Sequence, residues 1–302
     1  MKRPEKNSLR GRGRRPTAGI LFCAACGLLC LLCWTSQAMA QWPRIAVSKD
    51  GTPISYEVFG SGEPTLVFVH GWCCNRSFWR KQVPYFAEKY RVVTLDLAGH
   101  GASGNGRTVY SLAAFGADVA AVVKALGARN VILIGHSMGG PVSIEAAKRL
   151  PDACIAIVGI DTLEDFTEEY TPEQITEFLR PFQEDFKGKT DSLVRTMFVP
   201  GTPPEFIDEI VNTMSGASAA VGISALEGML RTSYRANPPN ITVPVWCLNA
   251  DLWPTNVEGN RAFVPEFNLR IMPGVGHFLM LESPDECNRQ LDAIVQEIAH
   301  RA

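Results

Sequence analysis

The order of apolar and polar residues switches repeatedly between two patterns after Gln41. Continuous apolar runs of the length of a buried strand recur, and helically spaced segments lie between most of them. The predicted strands are residues 45–48, 53–59, 65–70, 91–96, 131–135, 154–160, 243–249 and 268–272. The predicted helices are residues 77–90, 111–126, 138–150 and 284–300. This alternation predicts an α/β fold, a doubly wound and mostly parallel sheet whose ligands bind beyond the carboxyl ends of the strands.

Residues 163–240 interrupt this alternation, because they contain no apolar run with the character of a buried strand. They hold two acidic helical segments, 172–186 and 204–214, and a small-residue segment, 215–225. We therefore predict one domain over residues 41–302, with a helical cap inserted after the sixth strand. The insertion is either an ordinary helical excursion or a lid over the ligand site. We favour the lid, because long insertions at this end of a sheet commonly gate access.

The first forty residues have a different composition from the rest. Residues 1–15 carry seven basic residues and one acid, and residues 18–34 carry no charge. Ala38-Met39-Ala40 then matches the small-residue cleavage pattern of a secretory signal peptide, which predicts cleavage before Gln41. The alternative is an uncleaved anchor, since the uncharged run approaches the length of a membrane span. We expect a secreted or periplasmic domain or, in the alternative, one anchored to the membrane by this segment.

Composition narrows the possible partners. The 302 residues are 46% hydrophobic and 20% charged, which is typical of a globular domain, and the net charge is -2. Setting the first forty residues aside leaves 22 basic and 30 acidic residues. No basic block remains to bind phosphate, so we exclude a nucleic acid partner. The five cysteines after Gln41 show neither the spacing of a metal site nor that of a disulfide scaffold, although one long-range disulfide stays open.

One short motif carries candidate chemistry. Gly135-His136-Ser137-Met138-Gly139 matches G-x-S-x-G and lies between a predicted buried strand and a predicted helix. This is the setting of a nucleophile elbow, a tight strand-to-helix turn that exposes a serine hydroxyl. We therefore predict Ser137 as the nucleophile.

A serine nucleophile needs a base, and the chain has five histidines. His277 follows the last predicted strand in a loop with flanking glycine, which lets the imidazole reach over the sheet end, and we assign it as the base. His136 lies inside the elbow and points away, and His300 lies in the terminal helix. His70 and His100 are interpreted as braces of their loops by hydrogen bonding.

The base in turn needs an acid, which in this arrangement comes between serine and histidine in the sequence. Asp251 follows the strand at 243–249 and is our first choice. Asp161 follows the strand at 154–160 and is the alternative, although we interpret it as a structural residue that caps the insertion. Asp96 is expected to tie its own glycine-rich turn.

An acyl-transfer site also needs two main-chain N–H donors for the oxyanion. One is expected at Met138, which follows the nucleophile, and the other in the loop after the third strand, where we assign Trp72. Cys73 and Cys74 lie beside that loop. Neither has an evident base, so both are interpreted as packing residues.

Together these segments resemble the α/β-hydrolase superfamily. The resemblance rests on HGW at 70–72, DLAGHGAS at 96–103, GHSMGG at 135–140, the segment containing Asp251, and GVGHF at 274–278. The sequence is similar to the compact serine esterases, enol-lactonases and cofactor-free haloperoxidases. The resemblance implies an α/β-hydrolase fold, a Ser-His-Asp site, and no metal or other cofactor.

The function expected from this resemblance is hydrolysis of carboxylic esters through an acyl-enzyme, with a small-molecule ester as the substrate. Lactone hydrolysis and perhydrolysis with peroxide are the alternatives, and a non-catalytic ligand-binding protein of the same fold is a third. The sequence does not fix the substrate or the oligomeric state. Four apolar residues of the insertion and of the following loops are candidates for the pocket, although we interpret each as ordinary core: Phe166, Phe198, Met229 and Trp253.

Overall fold

A single sheet of eight strands forms the centre of the protein. The computed structural model describes residues 43–301. The strands are β1 (Arg44–Val47), β2 (Pro53–Phe59), β3 (Thr65–Val69), β4 (Arg91–Leu95), β5 (Val131–His136), β6 (Cys154–Ile160), β7 (Val245–Ala250) and β8 (Phe267–Met272). Their order in the sheet is β1-β2-β4-β3-β5-β6-β7-β8. β2 runs antiparallel to both of its neighbours, and every other pairing is parallel. The predicted mostly parallel sheet is confirmed.

The inner strands read as apolar runs because helices cover both of their faces. Every residue of β3, β5 and β7 is buried. The helices are α1 (Val83–Phe86), α2 (Leu112–Ala125), α3 (Gly139–Ala147), α4 (Pro172–Glu184), α5 (Phe186–Arg195), α6 (Pro204–Ser215), α7 (Ala219–Leu230), α8 (Val257–Arg261), α9 (Leu279–Glu282) and α10 (Pro284–Arg301). Ser111 caps α2, as predicted, because its side chain accepts the N–H of Ala114.

One predicted helix is divided in the structure. Residues 77–90 were expected to form a continuous helix, but they contain a 3₁₀ turn, Arg76–Trp79, followed by the short α1. Asn75 stabilises the start of the 3₁₀ turn by accepting the N–H of Ser77. Pro84 lies in the first turn of α1, where the missing N–H costs nothing, whereas in a helix interior it would remove a hydrogen bond.

The four helices α4 to α7 form the cap, inserted between β6 and β7 as predicted. A capping box fixes the start of α4: the Thr171 hydroxyl accepts the N–H of Gln174, and the Gln174 side chain accepts the N–H of Thr171. The small-residue segment contributes to α7, which buries Val221, Ala225 and Leu226. The function of the cap as a lid stays a prediction.

The predicted signal peptide, residues 1–40, lies outside the described residues, so its cleavage and the localisation stay predictions. Within residues 43–301, none of the helices has the length and apolarity needed to cross a bilayer. The five described cysteines are free and buried, which agrees with packing roles for Cys73 and Cys74. Burial raises the pKa of both thiols, and this disfavours their thiolate forms.

Candidate active site

Ser137 lies on a sharp turn between β5 and α3. Its φ of +52° is in the left-handed region, which is uncommon for a residue with a side chain and marks a constrained turn. The flanking glycines are required by close backbone contacts. A Cβ atom at Gly135 would lie 2.1 Å from the carbonyl oxygen of Gly139, and one at Gly139 would lie 2.3 Å from that of Val69. The predicted elbow is therefore present, with Ser137 at its tip.

The loop after β3 lies directly against this elbow. A Cβ atom at Gly71 would come within 3.0 Å of the Cβ of Ser137, so the backbone approaches the serine closely only because residue 71 is glycine. Trp72 follows immediately. Both predicted oxyanion donors, Trp72 and Met138, therefore belong to segments that adjoin Ser137, and Met138 lines the same cavity as the serine.

His277 reaches the site from the loop after β8. Its Nδ1 lies 2.6 Å from Oδ2 of Asp161, and both side chains are buried. The backbone of His277 is held at two points: its N–H donates to Met197 at 2.8 Å, and its carbonyl oxygen lies 3.0 Å from Nε2 of His136. With Nδ1–H donated to the carboxylate, Nε2 is the nitrogen left to act as a base.

Asp161 is fixed by the end of the neighbouring strand. It follows β6 with φ of +46°, and its N–H donates to Leu248 at 3.0 Å. Its Oδ1 accepts the N–H of Ala250 at 2.7 Å, so one carboxylate oxygen is bound to the backbone of β7 and the other to His277. Charge-assisted hydrogen bonds of this kind hold a carboxylate in one orientation.

The prediction of Asp251 as the orienting acid was therefore wrong, because its carboxylate does not bind the imidazole of His277. Oδ1 of Asp251 accepts the N–H of Gly274 at 2.9 Å, and the residue is exposed. Asp161, the alternative candidate, occupies the position beside the imidazole of His277. The interpretation of Asp161 as a cap of the insertion was correspondingly wrong, because both of its carboxylate oxygens are engaged by β7 and by His277.

His70 braces the loop, as predicted. Its Nδ1 lies 2.8 Å from the carbonyl oxygen of Gly71, and its Nε2 accepts the N–H of Leu97 at 3.0 Å. The Leu97 contact requires an unprotonated Nε2, so Nδ1 carries the proton. Burial lowers the pKa of His70 to about 4, which keeps the ring neutral.

Trp72 joins the loop after β3 to the cap. Its indole Nε1–H donates to the carbonyl oxygen of Gly222 in α7 at 2.7 Å. The indole also meets the rings of Phe182 and Phe186 edge-on, with centroids 5.9 and 6.0 Å apart. A Cβ atom at residue 222 would lie 2.5 Å from the Phe186 ring, so a larger residue there would displace the ring that packs against Trp72. Three cap helices thus hold the side chain whose main-chain N–H is the predicted donor.

Two further histidines and Asp96 have structural contacts. His136 is buried against His277, with ring centroids 4.6 Å apart, and His100 lies 3.0 Å from the carbonyl oxygen of Ala98. Burial lowers the pKa of both imidazoles, and that of His100 falls to about 3. Asp96 accepts the N–H of Ala102 at 2.9 Å and so ties its turn, as predicted.

A cavity of about 590 Å³ opens at the end of the sheet, and Ser137, Asp161 and His277 all line it. Its apolar and aromatic wall includes three of the four residues that were interpreted as core: Phe166, Met229 and Trp253. Trp253 meets the His277 ring with centroids 5.4 Å apart. The fourth, Phe198, stacks on Phe278. The volume suits a small organic substrate.

The cavity wall also includes a carboxylate that the sequence analysis missed. Glu164, three residues after Asp161, lines the cavity, and burial together with the nearby charge of Asp161 raises its pKa to about 7. Its carbonyl oxygen is held by the N–H of Asn256 at 2.7 Å. No sequence pattern singles this residue out, because its environment depends on segments distant in the sequence, such as that containing Asn256.

Residues 66–290 match the alpha/beta hydrolase family. The chain is 24% identical over 251 residues to 3-oxoadipate enol-lactonase 2 of Acinetobacter baylyi, covering 80% of this chain and 93% of that protein. It is 40% identical to the non-heme haloperoxidase of Rhodococcus erythropolis over 94 residues, which cover 31% of this chain and 34% of that protein.

Solved structures show the same architecture. A thermophilic esterase from Thermogutta terrifontis superimposes with a TM-score of 0.73 at 22% identity, covering 85% of this chain and 98% of that one. At this identity the likeness establishes the fold, whereas the family match extends over most of the sequence. The chain therefore belongs to the alpha/beta hydrolase family.

Proposed function

We propose that the protein is a serine hydrolase that cleaves carboxylic esters through a Ser137-His277-Asp161 triad. The observation that carries the proposal is the 2.6 Å contact between His277 Nδ1 and Asp161, in a cavity that Ser137 also lines. A serine on a constrained turn, an imidazole and a buried carboxylate are the parts that acyl transfer requires.

Acylation begins when the Ser137 hydroxyl attacks the ester carbonyl carbon. His277 Nε2 accepts the hydroxyl proton as the bond between Oγ and carbon forms, and Asp161 stabilises the resulting imidazolium through the Nδ1–H. The imidazolium then gives its proton to the alkoxy oxygen. The bond between the carbonyl carbon and that oxygen breaks, and the alcohol leaves an acyl group on Ser137.

Deacylation repeats the sequence with water. His277 Nε2 accepts a proton from water, the water oxygen attacks the acyl carbon, and the proton is returned to Ser137 as the acid leaves. In both halves the negative charge on the carbonyl oxygen is stabilised by main-chain N–H groups, which we assign to Trp72 and Met138. An internal ester, a lactone, would open by the same steps and leave a hydroxy acid.

A second candidate function is perhydrolysis, in which peroxide replaces water and a peroxy acid is formed. The similarity to a non-heme haloperoxidase supports this candidate. Bromide oxidation that requires both peroxide and a short carboxylic acid would favour it over ester hydrolysis, because simple hydrolysis consumes neither.

The test is the substitution Ser137→Ala. We expect p-nitrophenyl acetate and butyrate turnover to fall by about 10⁴-fold or more, since removal of the nucleophile leaves only residual stabilisation of the oxyanion. A fluorophosphonate probe should label the unchanged protein at Ser137 and should not label the variant.

Ser192→Ala is the matched control, because Ser192 lies in α5 and its hydroxyl donates only to the carbonyl oxygen of Gly188. The control should keep its activity and its labelling. Full turnover by the Ser137→Ala variant would contradict the proposed function, and absence of labelling in the unchanged protein would favour a non-catalytic role.

A further inference from the structure

The cavity around Ser137 has an asymmetric charge distribution. Four carboxylates line it, namely Asp161, Glu164, Asp165 and Glu168, and no lysine or arginine of residues 43–301 lies among its lining residues. Three of these carboxylates have partners in the protein. Asp161 binds His277, Asp165 accepts from Thr167 and Asn256, and Glu168 accepts the Tyr170 hydroxyl at 3.0 Å.

Glu164 differs from the other three. Within residues 43–301, its side chain has no hydrogen bond or ion pair to another residue; the carboxylate accepts only its own main-chain N–H, and the residue is partly exposed. It lines the same cavity as Ser137 and His277, and the nearby charge of Asp161 contributes to the rise of its pKa. A carboxylate enclosed in this way without a cation is costly, and a positively charged ligand would reduce that cost.

Aromatic rings complete the wall. Trp253 and Tyr170 line the cavity with exposed rings, and Tyr234 lines it with its ring centroid 4.7 Å from that of Phe166. Faces of aromatic rings attract ammonium groups, and the effect strengthens when the cation is removed from water. Arg235 lies outside the cavity lining and donates to the carbonyl oxygen of Thr167, and its charge partly offsets that of Asp165 but is not among the influences on Glu164.

We propose, on the basis of the function proposed above, that this cavity selects ester substrates by charge. It favours esters that carry a cationic, ammonium-type group beside the scissile bond, and it rejects esters that carry a carboxylate there. Glu164 is the residue that determines this selectivity, and the aromatic wall contributes apolar and cation–π contacts.

Coulomb interactions decide the order of substrates. A cation a few ångströms from Glu164 is attracted, and an anion of the same size is repelled by Glu164, Asp165 and Glu168 together. With the screening typical of a partly open site, we expect about a tenfold advantage of the cation over its neutral isostere, and a similar disadvantage of the anion.

The experiment compares three p-nitrophenyl esters of matched length. They are the 4-(trimethylammonio)butanoate, its neutral isostere 5,5-dimethylhexanoate, and the monoester of glutarate. A second series, of acetyl thioesters, places the same three charges on the leaving group. The kcat/KM of each substrate is divided by its rate of hydrolysis by hydroxide, which removes intrinsic reactivity.

Two results are expected for the unchanged protein. At least one series follows the order cation, neutral, anion, and the ratio of cation to neutral rises between pH 6 and pH 8. The pH effect follows because Glu164, with its pKa near 7, is uncharged below this range and charged above it. Protonation of His277 cancels in the ratio, and Asp161, Asp165, Glu168 and the buried Cys247 thiol are the other ionisable groups near Glu164.

Glu164→Gln should reduce the cation-to-neutral ratio to about threefold or less and remove its pH dependence, since the residue keeps its size and loses its charge. Glu177→Gln is the control, because Glu177 is exposed in α4 and pairs with Arg180. It makes the same change in net charge and should leave the ratio as in the unchanged protein.

Hydrolysis of the neutral ester without any charge order in either series would overturn this inference and leave the proposed function intact. The same conclusion follows if Glu177→Gln and Glu164→Gln change the ratio equally. Absence of turnover with all of the esters would instead contradict the proposed function. If the Glu164 variant does not fold, the pH dependence of the ratio in the unchanged protein decides the matter.

Discussion

Two neighbouring strands, β6 and β7, each end near an aspartate, and the two aspartates have opposite environments. Asp161 is buried at 2% exposure, and its two carboxylate oxygens bind Ala250 and His277. Asp251 is exposed, and it accepts the N–H of Gly274. Both satisfy the order serine, aspartate, histidine along the sequence, so order alone does not identify the acid.

Sheet topology explains the difference. β6 is hydrogen-bonded directly to β5, and His136 pairs with Ile160 in the register. The residues that follow, Ser137 and Asp161, therefore leave the sheet side by side. Asp251 leaves from β7, one strand farther from the serine, and points its carboxylate to the loop that carries His277 rather than to the ring.

The largest effect on activity is expected for Asp161→Asn. We expect kcat for p-nitrophenyl butyrate to fall by about 10³–10⁴-fold, because a neutral amide no longer stabilises the imidazolium and favours the wrong tautomer of His277. Steady-state kinetics measure the loss, and a thermal melt shows whether the variant is folded. Retention of activity within about tenfold of the unchanged protein would mean that Asp161 does not orient the base.

The second prediction concerns stability in acid. The buried end of the sheet that holds Asp161 also holds buried, neutral imidazoles, of which His70 is one. The pKa of His70 falls from 6.5 to about 4 on folding, so the unfolded chain binds more protons between these values. The contribution of His70 to the free energy of unfolding is therefore fully present above pH 6.5, and it is lost as the pH falls toward 4. The expected loss from His70 alone is on the order of 3 kcal/mol.

Urea denaturation at pH 7, 5.5 and 4.5 measures this loss. His300 lies at the exposed end of α10, so His300→Gln should leave the acid sensitivity unchanged. A free energy of unfolding that stays constant from pH 7 to pH 4.5 would contradict this prediction. It would mean that the folded protein binds as many protons as the unfolded chain over this range.

The smallest effect is expected for Asp251→Asn. The asparagine oxygen can still accept the N–H of Gly274, and the position is exposed, so kcat should change by less than about threefold and the free energy of unfolding by about 0.5 kcal/mol or less. The same kinetic assay and a urea titration check both values. A loss of activity equal to that of the Asp161→Asn variant would restore Asp251 as a candidate for the orienting acid.

Those features of the structure that depend on residues close together in the sequence were predictable. The apolar runs located the strands, and the glycines around Ser137 located the elbow because only glycine tolerates the contacts with Gly139 and Val69. The position of the cap followed from the absence of a strand between β6 and β7. His277, the proposed base, could be placed at the sheet end because it follows the last strand.

Features that depend on how distant segments meet were not predictable. The partner of His277 is decided by the register of β6 with β5 and by the positive φ of Asp161, and neither appears as a residue pattern. The adjacency of consecutive strands β5 and β6 was the one signal that favoured Asp161. Glu164 was missed for the same reason, since its burial arises from segments about 90 residues away, such as that containing Asn256.

The hydrogen bond between Trp72 and Gly222 has a consequence for any attempt to redesign the protein. It spans 150 residues of sequence and joins the loop after β3, which carries the proposed oxyanion donor Trp72, to α7 of the cap. A chimera with the cap of another protein would have a new cavity lining but would lose this hydrogen bond. The grafted helix would also need a carbonyl oxygen in reach of the indole and a glycine at the position of Gly222. Under the proposed function, exchange of the cap would therefore change the cavity wall and the position of the proposed Trp72 donor together.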